Sequence, residues 1–259
     1  MNRVFFGHHK CASTWMTKIF YGIQKATGYR IKYGFDLSCE LNVFGNSKRK
    51  YADEYEKFKG IHLIRDPRDI VISGYFSHLK THPLMGWDRL IEHRKVLKKV
   101  SFSEGVIAEI DWLEPYFEDM YNWNYQNDNI LELRFEDVTT QDDLTYILDF
   151  LQLKSSNFSD KAQFEIWRIL NKLNNRGFFP IRNSDIRITK KEFSRLIQKN
   201  SFKNLSKGRG KGEVDSNSHY RKGTTGQWKE SFDEETKDYF KKKYNHLLLK
   251  TGYEKNADW

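Results

Sequence analysis

Arg3-Val4-Phe5-Phe6-Gly7-His8-His9-Lys10-Cys11-Ala12-Ser13-Thr14-Trp15 is the stretch of the chain that decides its fold. Its first half is apolar and predicts a buried strand, and helical spacing predicts a helix over about Trp15–Ala26. A strand, a tight turn and a helix N-terminus form an anion site, because the backbone N–H groups and the positive end of the helix dipole face one point. Lys10 adds a full charge there, and Ser13 and Thr14 add hydroxyl donors.

Further strands alternate with helices along the first half of the chain. A second strand is predicted at Tyr29–Phe35, and residues 37–59 are predicted to be a loop with a short helix at Asp53–Lys59. After a break at Gly60, a buried parallel strand is predicted at Ile61–Ile64, and alternating residues predict another at Ile130–Phe135. The alternation favours an α/β fold with a central parallel sheet flanked by helices and right-handed crossovers.

The remaining helices follow from apolar residues at helical spacing. Asp66 is predicted to cap the first of them, with Pro67 at its first position, where the missing N–H costs nothing. A basic loop that we expect to be mobile follows at about 204–218, because glycines alternate there with lysines and an arginine. The predicted helices are Pro67 to about Leu79, Asp88–Val100, Ser101–Ile110, Asp111–Tyr125, Asp142–Leu151, and about 160–173, 189–199 and 233–251.

Composition limits the class of protein. The 259 residues suit a single domain, which we expect to span 1–259. Lys+Arg 44 against Asp+Glu 35 gives a net charge of +9, which favours a polyanionic partner such as nucleic acid, a membrane surface or a multiply charged nucleotide. Two cysteines make neither a disulfide framework nor a zinc site. No apolar run approaches the ~20 residues of a membrane span and no signal segment precedes the first strand, so we expect a cytoplasmic protein.

The loop that leaves the first strand departs from the ordinary phosphate loop, G-x-x-x-x-G-K-[ST]. If Gly7 is the first glycine, Ala12 stands at the second glycine and Ser13 stands where the lysine belongs. The lysine instead comes early, at Lys10. The loop can still hold a phosphate, but it does not match the loop of an ordinary ATPase.

Two later segments also carry groups suited to anions. Arg65 follows a strand and is a fork-shaped anion donor, and Ser73 lies about two turns into the next helix. Taken alone, this pair also fits a salt bridge at a helix cap and a surface serine. Tyr220–Lys229 combines cations, glycines and hydroxyls, which suits phosphate contacts or a simple basic turn. Because Lys10 and Arg65 both follow strand ends, they could share one crevice at the carboxyl edge of the sheet.

Taken together, these segments resemble the sulfotransferases that use 3′-phosphoadenosine 5′-phosphosulfate (PAPS). Lys10-Cys11-Ala12-Ser13-Thr14-Trp15 resembles the family's 5′-phosphosulfate loop, Lys-Ser-Gly-Thr-Thr-Trp. The segment from Arg65 to Ser73 resembles its Arg-Asn-Pro-Lys-Asp with a serine eight residues on, and Arg221–Lys229 resembles its Arg-Lys-Gly-x-x-Gly-Asp-Trp-Lys. Phe135-Glu136-Asp137 is similar to its Tyr-Glu-Asp, and Asn200–Lys203 to its Thr-Ser-Phe-Lys.

The resemblance implies a sulfotransferase fold and transfer of a sulfuryl group from PAPS to an acceptor hydroxyl or amine, releasing PAP, without a required metal. It implies that Lys10 is catalytic and that Lys10 and the amides of Cys11–Thr14 hold the 5′-phosphosulfate. The other donor contacts that it implies are Trp15 and Phe202 on the adenine, Phe135 at the donor site, and Arg65, Ser73, Arg221, Lys222 and Gly223 on the 3′-phosphate.

Two residues of the loop depart from the family pattern, since Cys11 and Ala12 replace serine and glycine. Ala12 keeps the loop small, but its Cβ restricts φ, so we expect an ordinary backbone conformation there. Cys11 is expected to be a small packing residue, with a low-pKa thiol at a helix N-terminus as the alternative.

The base that takes the acceptor's proton is the open part of the site. Cytosolic members of the family use a histidine after the second or third strand, and this chain has none between residues 29 and 60. Members acting on carbohydrates use a glutamate in a comparable place, so a carboxylate is reasonable. We favour Asp36, with Glu40 second. His78 and His82 are further candidates, or are packed or surface histidines.

The sequence leaves the acceptor open, a small molecule or a carbohydrate, and with it the oligomeric state. The resemblance implies no nucleic-acid partner. Two other classes stay as alternatives: a nucleotide kinase, which predicts magnesium-dependent ATP binding, and a non-catalytic polyanion-binding module, which predicts salt-sensitive binding without preference for PAP.

Overall fold

A computed structural model describes residues 1–141, 143–154 and 160–259. The chain forms two compact units. Unit 1 comprises Met1–Ile64 and Asn124–Ser201, and unit 2 comprises Arg65–Trp123 and Phe202–Trp259. Each unit is therefore built from two separate stretches of sequence. The single domain expected from the sequence stays a prediction.

Unit 1 contains a five-stranded sheet in the order β2-β3-β1-β4-β5, and every neighbouring pair is parallel. This confirms the predicted parallel α/β architecture. The first strand lies in the middle and is hydrogen-bonded on both edges, which is why Val4, Phe5 and Phe6 are fully buried. The strands are β1 (Asn2–Gly7), β2 (Ile31–Tyr33), β3 (Leu41–Phe44), β4 (Phe58–Ile64) and β5 (Ile130–Arg134).

The prediction for residues 37–59 was wrong, because a strand lies there and the helix ends earlier. β3 was missed since it is short and carries a buried polar residue, Asn42, whose side chain accepts from the Asp36 N–H (2.7 Å) and donates to the Cys39 carbonyl (3.2 Å). Gly60 does not end a segment but lies inside β4. A Cβ there would come 2.9 Å from the Phe6 ring, so the close approach of β1 and β4 requires glycine.

The helices of unit 1 pack on this sheet and complete one apolar core. Phe20 and Ile23 of the first helix meet Leu148 and Phe193 in that core. The first helix ends at Gly28, which has the left-handed conformation expected of a C-cap (φ 73°). The helices are α1 (Ser13–Thr27), α2 (Lys50–Asp53), α7 (Phe135–Thr140), α8 (Tyr146–Phe150), α9 (Asp160–Asn174) and α10 (Lys190–Lys199). The helix predicted from Asp142 begins at Tyr146, and Asp142 itself lies outside the described residues.

The described part of unit 2 is helical. Its first helix begins as predicted, since the Asp66 side chain accepts from the Arg68 N–H (2.9 Å) and Pro67 occupies the first position. The α-helix ends at Phe76, and one π-helical turn, Ser77–Thr81, follows it directly. The helices are α3 (Pro67–Phe76), α4 (Asp88–Leu97), α5 (Phe102–Trp112), α6 (Glu114–Tyr121), α11 (Phe202–Leu205), α12 (Trp228–Ser231) and α13 (Glu234–Thr251).

Among the described residues, no helix combines the length and the apolar character needed to cross a membrane.

Candidate functional site

Residues 8–12, which we call the Lys10 loop, connect β1 to α1 in unit 1. The loop is closed by a hydrogen bond from the Cys11 N–H to the His8 carbonyl (3.2 Å). The Ser13 hydroxyl lies 2.9 Å from the His8 carbonyl and 3.1 Å from the Gly45 carbonyl, which ties the loop to the end of β3. The N–H groups of Trp15 and Met16 donate to the Ala12 carbonyl (2.9 and 3.1 Å). The two amides before them, at Ser13 and Thr14, open the helix and are suited to bind an anion.

The expectation for Ala12 was wrong. Ala12 is the N-cap of α1 and is left-handed (φ 57°, ψ 26°), and Lys10 is also left-handed (φ 61°). A Cβ makes this conformation unfavourable by roughly 1–2 kcal/mol for each residue. The tight turn needs it nevertheless, because the strand must reverse into the helix within five residues. Strain of this kind persists where surrounding contacts hold it, and it is common at binding sites.

Four further site residues and neighbours lie in unit 1, and one of them, Cys11, is part of the loop itself. Trp15 is half-buried, and its indole N–H donates to the Asn200 carbonyl (3.0 Å), which fixes the ring that the sequence assigned to the adenine. The Ser47 N–H donates to the Gly7 carbonyl (2.8 Å), whereas its buried hydroxyl has no hydrogen-bond partner among the described residues. Cys11 is fully buried, in keeping with a packing residue. Phe135 begins α7 and is half-buried.

A buried chain of side chains runs from this loop through the sheet of unit 1. His8 Nε2 lies 2.8 Å from His62 Nε2, and His62 Nδ1 lies 2.5 Å from Glu132 Oε2. Burial lowers the pKa of both imidazoles well below the ordinary value, and for His8 the neighbouring His62 lowers it further. Both rings are therefore neutral at neutral pH.

In unit 2, Asp69 connects α3 to the late basic segment. Asp69 is buried and accepts from the N–H groups of Gly226 (2.7 Å) and Trp228 (3.1 Å). One guanidinium nitrogen of Arg65 lies 3.6 Å from its carboxylate. These contacts bring together Arg65, the helix that bears Ser73, and the segment 221–229.

Arg221 also lies close to Arg65. Its guanidinium stacks on the Phe76 ring (3.9 Å) and donates to the Gln227 side chain. Burial lowers the pKa of Arg221, the charge of Arg65 lowers it further, and Asp69 opposes both effects. Two guanidiniums that repel each other in a half-buried site favour a bound anion.

Gly223 has a left-handed backbone (φ 68°), and a Cβ there would lie 2.5 Å from the Phe202 ring. The ring assigned to the adenine therefore rests directly on the backbone of the segment assigned to the 3′-phosphate. Lys222 lies 3.3 Å from Glu230. The Thr224 hydroxyl is buried and makes no hydrogen bond within the described part of the chain. Two guanidiniums that repel each other and an unsatisfied hydroxyl are groups that a bound phosphate would satisfy, so this part of unit 2 suits a phosphate group.

The two carboxylates favoured as the base differ in their contacts. Both oxygens of Glu40 contact the Arg182 guanidinium at 2.9–3.1 Å, and Oε2 also accepts from the Arg30 N–H (2.8 Å). This buried ion pair gives Glu40 a structural role. Asp36 follows β2, and hydrogen bonds from the side chain and N–H of Ser38 hold its pKa below the ordinary value. Asp36 is therefore ionised at neutral pH and able to accept a proton.

The histidine candidates lie in unit 2, where Glu109 joins two imidazoles. Glu109 Oε1 lies 2.8 Å from His78 Nδ1, and Glu109 Oε2 lies 2.7 Å from His93 Nε2. Burial raises the pKa of Glu109, but the two histidines outweigh this and lower it. His82 stacks near His78, with ring centroids 5.5 Å apart. The separations within the cluster are those of hydrogen bonds, which supports packed histidines.

Sequence reasoning missed Ser47, the His62–Glu132 pair and Glu109. The available signals were a histidine inside the apolar run of β4 and a glutamate at an inward position of β5. Neither signal pairs the two residues, because the pairing depends on strand register.

Comparisons with known proteins agree with this geometry. Residues 54–252, more than half of the chain, match the family model described as "Sulfotransferase domain". The match includes Arg65, Ser73 and Arg221 and begins after the Lys10 loop. The fold is similar to that of mouse sulfotransferase SULT7A1 complexed with PAP, with a TM-score of 0.53, 14% identity, and coverage of 97% of this chain and 85% of that chain. At this identity the similarity shows the fold. No curated protein sequence matches the chain.

Proposed function

The chain belongs to the family of proteins with a sulfotransferase domain, and on that premise we propose that it transfers the sulfuryl group of PAPS to a hydroxyl or amine, releasing PAP. Family and fold support sulfotransferase activity in general, while the donor and the type of acceptor are our proposal. The observation that carries it is the Arg65–Arg221 pair held by Asp69. A 3′-phosphate is what this pair would bind, and ATP lacks one.

We assign the 5′ end of the donor to the Lys10 loop of unit 1. PAPS supplies a sulfuryl group already activated on its 5′-phosphate. The amides at the start of α1 would bind the phosphate oxygens, and Lys10 would stabilise the charge that develops on the leaving phosphate. The logic parallels phosphoryl transfer, in which positioning and electrostatic stabilisation do most of the catalysis.

We assign the 3′ end of the donor to unit 2. Arg65, Ser73, Arg221, Lys222 and Gly223 would bind the 3′-phosphate, and the Thr224 hydroxyl would gain the partner that it lacks among the described residues. Phe202, lying against Gly223, would stack on the adenine.

For the base we propose Asp36, because its carboxylate is ionised and its hydrogen bonds come from the neighbouring Ser38 and Cys39, whereas Glu40 is held in an ion pair with Arg182. Asp36→Asn should then reduce sulfuryl transfer by about 10²–10⁴-fold, the usual size of a general-base contribution. Transfer at the unaltered rate would remove Asp36 from this role. A small-molecule or carbohydrate acceptor and a cytoplasmic location are part of the proposal.

Ligand binding distinguishes the proposed function from its alternatives. Thermal unfolding is measured with PAP, with ATP and magnesium, and with duplex DNA at about 0.15 M salt. PAP should raise the midpoint most, and radiolabelled PAPS should yield labelled products with a panel of phenols, alcohols and amines. Stabilisation by magnesium–ATP alone would indicate a kinase. Salt-sensitive stabilisation by DNA without a PAP effect would indicate a polyanion-binding module.

A further inference from the structure

The Lys10 loop needs an anchor. Lys10 and Ala12 both have left-handed backbone conformations, which residues with a Cβ avoid. Such conformations persist only where the surrounding structure fixes them. The loop contains no glycine that could adopt them at lower cost, since residues 8–12 are two histidines, a lysine, a cysteine and an alanine.

Part of the anchor is backbone. The Ser13 hydroxyl contacts the carbonyls of His8 and Gly45, and the Ser47 N–H holds the Gly7 carbonyl. These contacts fix the two ends of the loop. The side chain of His8 fixes the first residue of the loop, because it is buried and hydrogen-bonded to His62 in the neighbouring strand β4.

Glu132 decides which atoms donate and which accept in the hydrogen bonds that join His8, His62 and Glu132. A glutamate carboxylate only accepts, so His62 must donate through Nδ1–H to Glu132. A neutral imidazole carries one proton, so His62 Nε2 is an acceptor and His8 must donate to it through Nε2–H. Glu132 thus fixes the tautomer of both rings. Its side chain is 29% exposed, whereas that of His62 is 0% exposed.

Other titratable groups near this chain are a tyrosine and a thiol. The Tyr125 ring lies 5.7 Å from the His62 ring, and Glu132 and Cys11 face Tyr125. Burial raises the pKa of Tyr125 far above its ordinary value. Tyr125 is therefore neutral. The donors and acceptors in the hydrogen bonds from His8 to Glu132 are then set by the Glu132 carboxylate.

We propose that His62 and Glu132 are positioning residues that act through His8 to hold the Lys10 loop in its left-handed geometry, and so control recognition of the donor's 5′-phosphate. The inference rests on the proposed function, because it assumes that the loop binds the 5′ end of PAPS. It assigns no contact with the donor to either residue. Breaking the hydrogen bonds from His8 through His62 to Glu132 should therefore weaken the binding of ligands that carry a 5′-phosphate. It should leave the binding of ligands that carry only a 3′-phosphate unchanged.

Two ligands and three variants test this. PAP carries both phosphates, and adenosine 3′-monophosphate carries only the one assigned to unit 2. Calorimetry should show that Glu132→Leu weakens PAP binding at least about tenfold and changes adenosine 3′-monophosphate binding less than about twofold. Glu132→Gln keeps an acceptor oxygen for His62 and should restore most of the PAP affinity. Glu54→Leu, at an exposed glutamate of the same unit, should leave both affinities unchanged.

The results that would overturn this inference differ from those that would overturn the proposed function. Equal weakening of both ligands by Glu132→Leu would show general destabilisation and overturn the inference, as would unchanged PAP binding. If Glu132→Leu does not fold, His8→Phe fills a similar volume without a nitrogen and should give the same selective loss of PAP binding. An unaltered protein that binds adenosine 3′-monophosphate but not PAP would overturn the assignment of the loop. One that binds neither would overturn the proposed function and this inference with it.

Discussion

Lys10 is the residue on which the proposed chemistry depends most, because it places a full charge in a loop that otherwise offers backbone amides. Lys10→Ala should reduce sulfuryl transfer by about 10²–10³-fold, the usual cost of removing one donor from a developing oxyanion. PAP should still bind within about tenfold, because the anchor of the loop, its backbone amides and the contacts assigned to unit 2 all remain. Lys25→Ala, near the end of α1, the helix that follows the loop, is the matched control and should behave like the unaltered protein. Equal turnover by Lys10→Ala would remove the lysine from the mechanism.

Ala12 permits a second test at the residue scale, because its left-handed conformation is unfavourable for alanine. Ala12→Gly relieves roughly 1–2 kcal/mol of strain in the folded state and adds about 0.4–1 kcal/mol of entropy to the unfolded state. We therefore expect the free energy of unfolding, measured in urea, to stay level or to rise by up to about 1.6 kcal/mol. Ala26→Gly, in the right-handed last turn of α1, should instead lower it by up to about 1 kcal/mol. Equal destabilisation by both changes would contradict the strained geometry.

At the scale of elements, the segment 221–229 depends on a contact that only glycine allows. Gly223→Ala must adopt a positive φ and also displaces the Phe202 ring, which would lie 2.5 Å from the new Cβ. Gly226→Ala carries the same conformational cost (φ 72°) but has nothing within 4 Å. We expect Gly223→Ala to weaken PAP binding at least about tenfold and Gly226→Ala to weaken it several-fold less. Calorimetric affinities that are equal for the two variants would show that the Phe202 contact does not matter.

The same elements show which parts of the structure the sequence could predict. The Lys10 loop and the Asp66–Pro67 helix start were predictable, because the residues that make them are neighbours in sequence. β3 and the position of Gly60 were not, because a buried Asn42 and a ring from β1 decide them. The link between His62 and Glu132 also needs the register of β4 and β5, in which these two residues are direct partners.

At the scale of the molecule, the buried histidines tie stability to pH. Burial holds the pKa of His8 and His62 below the value of about 6.5 that histidine has in an unfolded chain. Below that pH the unfolded chain binds protons that the folded protein does not, so stability falls with acidification by up to about 1.4 kcal/mol per histidine per pH unit. Urea unfolding at about pH 7.5 and about pH 5.5 should show this loss.

A substitution of one histidine shows how much of the acid-induced loss of stability that histidine causes. His62→Gln removes one of the two imidazoles whose pKa burial lowers, so it should flatten the decline in unfolding free energy by about half. His246→Gln, at an exposed histidine of α13, should leave the decline unchanged. A decline of the same steepness in His62→Gln would show that other groups cause the acid sensitivity.

The bonds that Asp69 accepts from Gly226 and Trp228 also bear on the order in which the protein can be made. Asp69 and Gly226 are 157 positions apart in the sequence. A nascent chain that ends at Ser201, the last residue of unit 1, still lacks the segment 221–229, which completes the Arg65 site. That site can close only after Gly226 and Trp228 have been synthesised. A prematurely terminated product would therefore keep the Lys10 loop in its sequence and yet lack recognition of the 3′-phosphate.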